Sequence, residues 1–486
     1  MSIPREPLRR IAIVGGGQLS VLAAIAFRRA LPVCEVVLVG QQPSPASFAD
    51  WSPTALPFTN KLHDRLGIVE SELILKAGGS YRLVSRFAGW GAAEQGGVLS
   101  YGETLDPSLK TAFAREWGGY RRNPTGLRQA GSLAEVLADA GRFAPPPPDA
   151  ATPISDIDYA LRWNPTAYRD LLIGHAQALQ VQYVEGRVDA VVPGEGDMVR
   201  AISIAGQGQI EGDLFVDCSG PAATLLASQP GFENSDWSDS LPTRTVYLGE
   251  TGAPVIALED RVLLGKTGWT TQVAGRDGLY TALGVGEGVS REIALATLGV
   301  PAAAAITMSP GCAARPWIGN VVALGDAAAR FEPLGPYHLD LAHRQLDLLL
   351  EMLPGCSIEP LERAEYNRRS VLMMEGVRDI LALHFASQSA REMFGEQTMP
   401  GRTGEVIDQF QRRGRLPFRE ESPHLSQEQF ALLVALGFKP GLPPVARHSD
   451  GAEEEQARAQ FAAASQAALE FAPPYQQWLI SALQAG

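Results

Sequence analysis

The chain has 486 residues, 45% of them hydrophobic and 20% charged, which is the balance of a globular protein with room for a large core rather than of a disordered or membrane-embedded one. A formal net charge of −13 offers no basic face for phosphates, which excludes a nucleic-acid partner. Cys34, Cys218, Cys312 and Cys356 form no CxxC pair, so neither a metal site nor a disulfide framework is expected. No stretch reaches the roughly 18 apolar residues that span a bilayer, and the glycines at 15–17 break the first apolar run too early for a secretion signal, so the expected compartment is cytoplasmic.

In chain order, Ile11 to Val14 is an apolar run ending in glycines, Leu19 to Leu31 reads as a helix and Glu35 to Val39 as a second strand. Together they make a βαβ unit of about 30 residues, the size of a dinucleotide-binding start. Pro145 to Pro148 read as a rigid spacer. Val181 to Val216 is β-rich, with glycines punctuating its turns, and ends at Asp217-Cys218-Ser219-Gly220. Val321 to Leu324 is a later strand that ends in Gly325-Asp326 and feeds a helix beginning near the prolines and running through Leu350. The rest is mostly helical, with an interruption at Pro473-Pro474 before Tyr475 to Leu483. This pattern predicts an α/β class with a Rossmann-type module and a β-rich substrate layer over residues 1–340, followed by a helical lobe over 341–486.

In a GxGxxG turn the first glycine makes the bend, the second lets backbone approach a pyrophosphate, and the third lets helix and strand pack closely. Here these positions are Gly15, Gly17 and Ser20. The acidic residue expected about 20 residues on, for the ribose, is replaced by Gly40. Asp326 reads in two ways: as an acceptor for ribityl hydroxyls beside a phosphate-facing helix start, or as an ordinary helix cap. Taken together, the two places favour FAD over NAD.

Several ordered segments resemble the flavin-dependent tryptophan halogenases. They are Asp217 to Gly220 followed by Leu225-Leu226, and Ile318 to Leu334 with its Glu332-Pro333-Leu334 triplet. Further matches are Glu375 to Asp379 with Leu383-His384-Phe385, and the middle helix at Tyr159-Ala160 and Tyr168 to Leu172. The resemblance runs from about residue 10 to about residue 480. It implies a flavin-monooxygenase-like fold, with Gly15, Gly17, Ser20, Gly325, Asp326 and Pro333 around FAD, and a small aromatic substrate. It also implies that FAD arrives reduced from a separate flavin reductase and reacts with oxygen and halide. A lysine at the far end of a tunnel and a nearby glutamate would then direct the oxidant onto the substrate.

Four departures fall on that chemistry. The stretch that carries the family's lysine is Tyr81 to Trp90 here, with Arg82 in the lysine's place. Arginine stays protonated and does not become the nucleophile that a desolvated lysine can be. Lys76, six residues upstream, is an alternative only if the alignment slips across Gly78-Gly79. The glutamate-serine pair after Glu-Pro-Leu is replaced by Gly335-Pro336, followed by Tyr337-His338, and His338 is either a new acid-base group or a histidine without chemistry. Only Trp269 remains of a pair of tryptophans, and the flavin-covering loop reads Ala49 to Thr54, without its glycines.

Three functions stay open. The first is an FAD-dependent oxidoreductase of monooxygenase or oxidase type, acting on an aromatic or indole-like substrate through Arg82 and His338. The second is a non-catalytic binding or assembly partner of a homologous halogenase-like subunit, with weak or no FAD binding. The third is an orthodox tryptophan halogenase.

Overall fold

The computed structural model describes residues 6–91, 96–101, 132–441 and 451–485. Strand β1 (Arg10–Val14), helix α1 (Gln18–Ala30) and strand β2 (Glu35–Gly40) form the expected βαβ unit, with boundaries shifted by one residue at most from those read in the sequence. β1 pairs in parallel with β2 on one side and with Leu214–Asp217 on the other. The sheet continues through Val321–Ala323 to Trp317–Ile318 at one edge and through β2 to Gln182–Glu185 at the other. Ile11 to Val14 are fully buried, which is why this strand is continuously apolar instead of alternating. Each such Ile or Val contributes roughly 1.5–3 kcal/mol by leaving water.

A second, larger sheet forms the substrate layer, in the order Ala302–Thr307, Thr245–Gly249, Tyr280–Val285, Gly268–Val273, Glu259–Leu264, Val84–Ala88 and Gly97–Ser100. Its pairs are antiparallel except where Glu259–Leu264 runs parallel to Val84–Ala88. Beside it Ser80–Arg82 pairs antiparallel with Ala160–Arg162, which puts Ser80 opposite Arg162 and Arg82 opposite Ala160.

Helix Pro165–Ala178, started by Asn164 accepting from Ala167 N–H at 2.8 Å, packs on α1. So does Tyr337–Glu351, the helix that follows Asp326. Pro360–Phe385 and later helices complete the helical part. One continuous core joins side chains from β1 and α1 to side chains of these helices, so residues on both sides of position 340 share it. No helix among the described residues is long and apolar enough to cross a membrane.

Candidate functional site

The expected dinucleotide turn is present at the end of β1. Gly17 stands at the N-cap of α1 and supplies no side-chain cap, and the first helical turn holds no acidic residue. Such a helix start presents free N–H groups to an anion. The anion found there belongs to the chain itself. Residues Phe48–Trp51 form a short helical turn, α2, and the Asp50 carboxylate accepts the Leu19 N–H at 3.2 Å. A Cβ at Gly17 would run into that carboxylate, so the second glycine does admit close approach, of Asp50.

Further bonds tie α2 down. Gln18 donates to Ala49 O at 2.7 Å and Ser52 O at 2.9 Å, while its side-chain oxygen accepts from the Trp163 indole at 2.8 Å. Ser47 lies against Gly220, where an added Cβ would strike its hydroxyl. Ser20, in the place of the third glycine, is buried and donates to Gly17 O at 2.9 Å, and its Cβ sits directly under Gly15. Beyond Gly40 the space where a ribose acceptor would work holds the Tyr183 hydroxyl. Arg169 bonds both that hydroxyl, at 3.3 Å, and Gly16 O.

Gly325–Ala327 is a single 3-10 turn. The helix expected to begin near the prolines starts at Tyr337, directly after Pro336. Asp326 accepts the Ala49 N–H at 2.7 Å and contacts His338 Nδ1 at 2.8 Å. It therefore acts as a cap, as one sequence reading held, but for α2 rather than for the helix that follows it. His338 stacks on Phe331 with ring centres 3.9 Å apart and meets the edge of Phe48 at 5.0 Å, and its Nε2 has no protein partner. Gly325 packs against Leu19, and half-buried Pro333 stands between buried Glu332 and Leu334.

Burial sets the charge state of this cleft. Asp50 is pushed up to about 7, first by desolvation and next by the nearby Asp326 charge, against the opposing Leu19 N–H and Arg169. Glu332, fully buried and accepting from Thr243 Oγ1 at 3.1 Å, is also raised to about 7, by desolvation first, against the opposing backbone and Thr243 hydrogen bonds and Arg244. Thr243 in turn accepts the indole N–H of Trp269, the tryptophan that persists from the family's pair.

On the substrate side Arg82 is 1% exposed. Its Nη1 pairs with Asp260 Oδ2 at 3.0 Å and its Nη2 donates to Ala55 O at 2.7 Å. The other oxygen of Asp260 takes Arg162 Nη1 at 2.9 Å and the Ala274 N–H at 3.0 Å. The guanidinium also lies 5.3 Å from the Tyr101 ring centre. Gly335 sits under the Tyr337 ring, whose hydroxyl bonds His424 Nε2 at 2.9 Å. Arg82 and His338, the two expected catalytic residues, are thus each bonded to a carboxylate, of Asp260 and of Asp326 respectively. Lys76 lies at the end of Glu70–Lys76, largely exposed and paired with Glu72 at 2.7 Å, so it does not take the family lysine's place.

Asp260, Arg162, Tyr183 and the role of Asp50 were not found from the sequence. Arg82, Arg162 and Asp260 all lie in strands and are buried, and a buried charge demands a partner. Two clefts, of about 330 Å³ beside Phe87 and Arg261 and about 430 Å³ along Pro146–Ala151, include none of the residues described above.

An FAD pyrophosphate at α1 and a ribityl chain at Asp326 would need the space and the bonding groups that α2 now uses. With α2 in this position the residues do not fit FAD.

Among solved structures the fold is similar to Xcc4156, a flavin-dependent halogenase from Xanthomonas campestris, with a TM-score of 0.87 and 22% identity over 98% of both chains. It is also similar to BrvH, a flavin-dependent halogenase from Brevundimonas sp. BAL3, with a TM-score of 0.85 and 22% identity over 98% of this chain and 99% of that one. In sequence the chain is 26% identical over 409 residues to tryptophan 7-halogenase RebH of Lentzea aerocolonigenes, covering 77% of this chain and 76% of the relative. The profile of the tryptophan halogenase family matches residues 10–450. The chain belongs to the tryptophan halogenase family.

Proposed function

We propose that this protein is a flavin-dependent oxidoreductase of its family that oxidises or oxygenates an aromatic, indole-like substrate and does not chlorinate it through a lysine. Relatives of this chain are described as flavin-dependent halogenases and as tryptophan halogenases, which supports both the cofactor and the substrate class. The observation that carries the departure from chlorination is Arg82. It stands where the family has its lysine, is protonated at any workable pH, and is fixed by Asp260 and Ala55. Gly335 stands where the family has its assisting glutamate and brings no carboxylate.

The test supplies tryptophan and indole with reduced FAD from a flavin reductase, oxygen and chloride, and reads products by mass. An oxygenated or dehydrogenated product with no chlorinated one is expected. Chlorotryptophan would overturn the reading and restore the halogenase function.

The filled cleft favours a second reading, a non-catalytic partner of a halogenase-like subunit. It is distinguished by absence of any product together with a stable heteromer on co-expression.

A further inference from the structure

We propose that the Ser47–Ser52 turn is a built-in occupant of the dinucleotide cleft: the Asp50 carboxylate takes the place of a nucleotide phosphate at the start of α1, Asp326 holds the turn through Ala49, and FAD enters only by displacing it. The inference rests on the flavoprotein reading above and adds how access to that site is controlled.

The contacts converge on one short segment. Leu19 N–H bonds Asp50, Asp326 bonds Ala49 N–H, and Gln18 bonds Ala49 O and Ser52 O. Gly17 and Gly220, residues whose missing side chains would suit a bound nucleotide, are instead packed against Asp50 and Ser47. The Leu19 N–H at the start of α1 and one oxygen of Asp326 therefore both bond groups of the same turn.

α2 is only four residues long, and Ser44, Pro45, Ser52 and Pro53 flank it. Trp51 is 39% exposed, and its indole N–H donates to Ser44 O at 2.9 Å. A ligand that must first expel such an occupant binds with an affinity lowered by the fraction of molecules that are open. An ionised Asp50 adds repulsion toward an incoming phosphate.

The experiment is FAD titration of the full chain, followed by flavin fluorescence, for the wild type, Asp50→Ala and Asp50→Asn. Amide hydrogen exchange of residues 44–54 in the wild type is followed with and without FAD. Asp50→Ala should bind FAD at least tenfold more tightly than the wild type. Asp50→Asn, which keeps an acceptor for Leu19 but loses the charge, should fall between them. In the wild type, saturating FAD should speed exchange at Ala49 and its neighbours.

Equal affinity in wild type and variants, or FAD binding that leaves exchange at Ala49 unchanged, overturns the inference and leaves the flavoprotein reading standing. Absence of FAD binding in all three proteins overturns both and leaves the assembly reading. If Asp50→Ala does not fold, Asp50→Asn and the wild-type exchange data still decide.

Discussion

Asp260→Ala is expected to cost about 3–5 kcal/mol of stability, the range for removing one partner from a buried ion pair. The carboxylate serves two guanidinium groups at once, Arg82 at 3.0 Å and Arg162 at 2.9 Å, and also accepts the Ala274 N–H. All three side chains are no more than 4% exposed, so neither arginine gains water when the aspartate is lost. Asp189→Ala, which removes a partner of exposed Arg187, serves as the control and should change stability by under about 0.5 kcal/mol. Urea unfolding of both variants checks the difference. Similar midpoints would mean that the Arg82–Asp260–Arg162 cluster is not the fixed structure described.

The second large effect is a failure to gain function. Combining Arg82→Lys with Gly335→Glu restores the residue types that the family resemblance associates with chlorination, yet no chlorotryptophan is expected from the double variant. A lysine at position 82 has one ammonium and cannot span Asp260 and Ala55 O as the guanidinium fork does. Paired with buried Asp260 it remains charged, and a charged amine is not a nucleophile. At position 335 a new Cβ would come within 2.5 Å of the Tyr337 ring, which His424 holds from its hydroxyl side. Overpacking of this kind costs roughly 1–3 kcal/mol. The product assay with reductase, FAD, oxygen, chloride and tryptophan decides the matter, and chlorotryptophan above the wild-type level would show that the reaction pocket survives behind these two substitutions.

Much of the fold was legible because its signals are local. β1, α1 and β2 announce themselves by a continuous apolar run, a helical stretch and a second run, and a parallel central strand must be apolar on both faces. The ordered family segments from 217 to 385 then carried the expected architecture. The larger sheet was less legible, since its neighbours Val84–Ala88 and Glu259–Leu264 lie far apart in the chain.

The site was legible in position and not in content. Gly15, Gly17 and Ser20 lie at the turn between β1 and α1, and Asp326 reaches the same region through Ala49. What fills it depends on contacts between residues some 31 positions apart, Leu19 with Asp50, and 277 apart, Ala49 with Asp326. No periodicity or spacing rule encodes such pairs. The missing glycines of the 49–54 loop marked a departure from the family pattern, but not that residues 48–51 would form the helical turn α2. In the same way Arg82 was recognised as a departure, while its partner Asp260 lies 178 residues away and became visible only in three dimensions.

The most direct measurement of the central claim is a crystal structure of the full chain grown without flavin and again with saturating FAD. Without flavin, Asp50 is expected on the Leu19 N–H at the start of α1, and with FAD residues 47–52 are expected outside the cleft. A flavin-free crystal with an open cleft, or FAD bound at α1 while Asp50 stays in place, would contradict that claim.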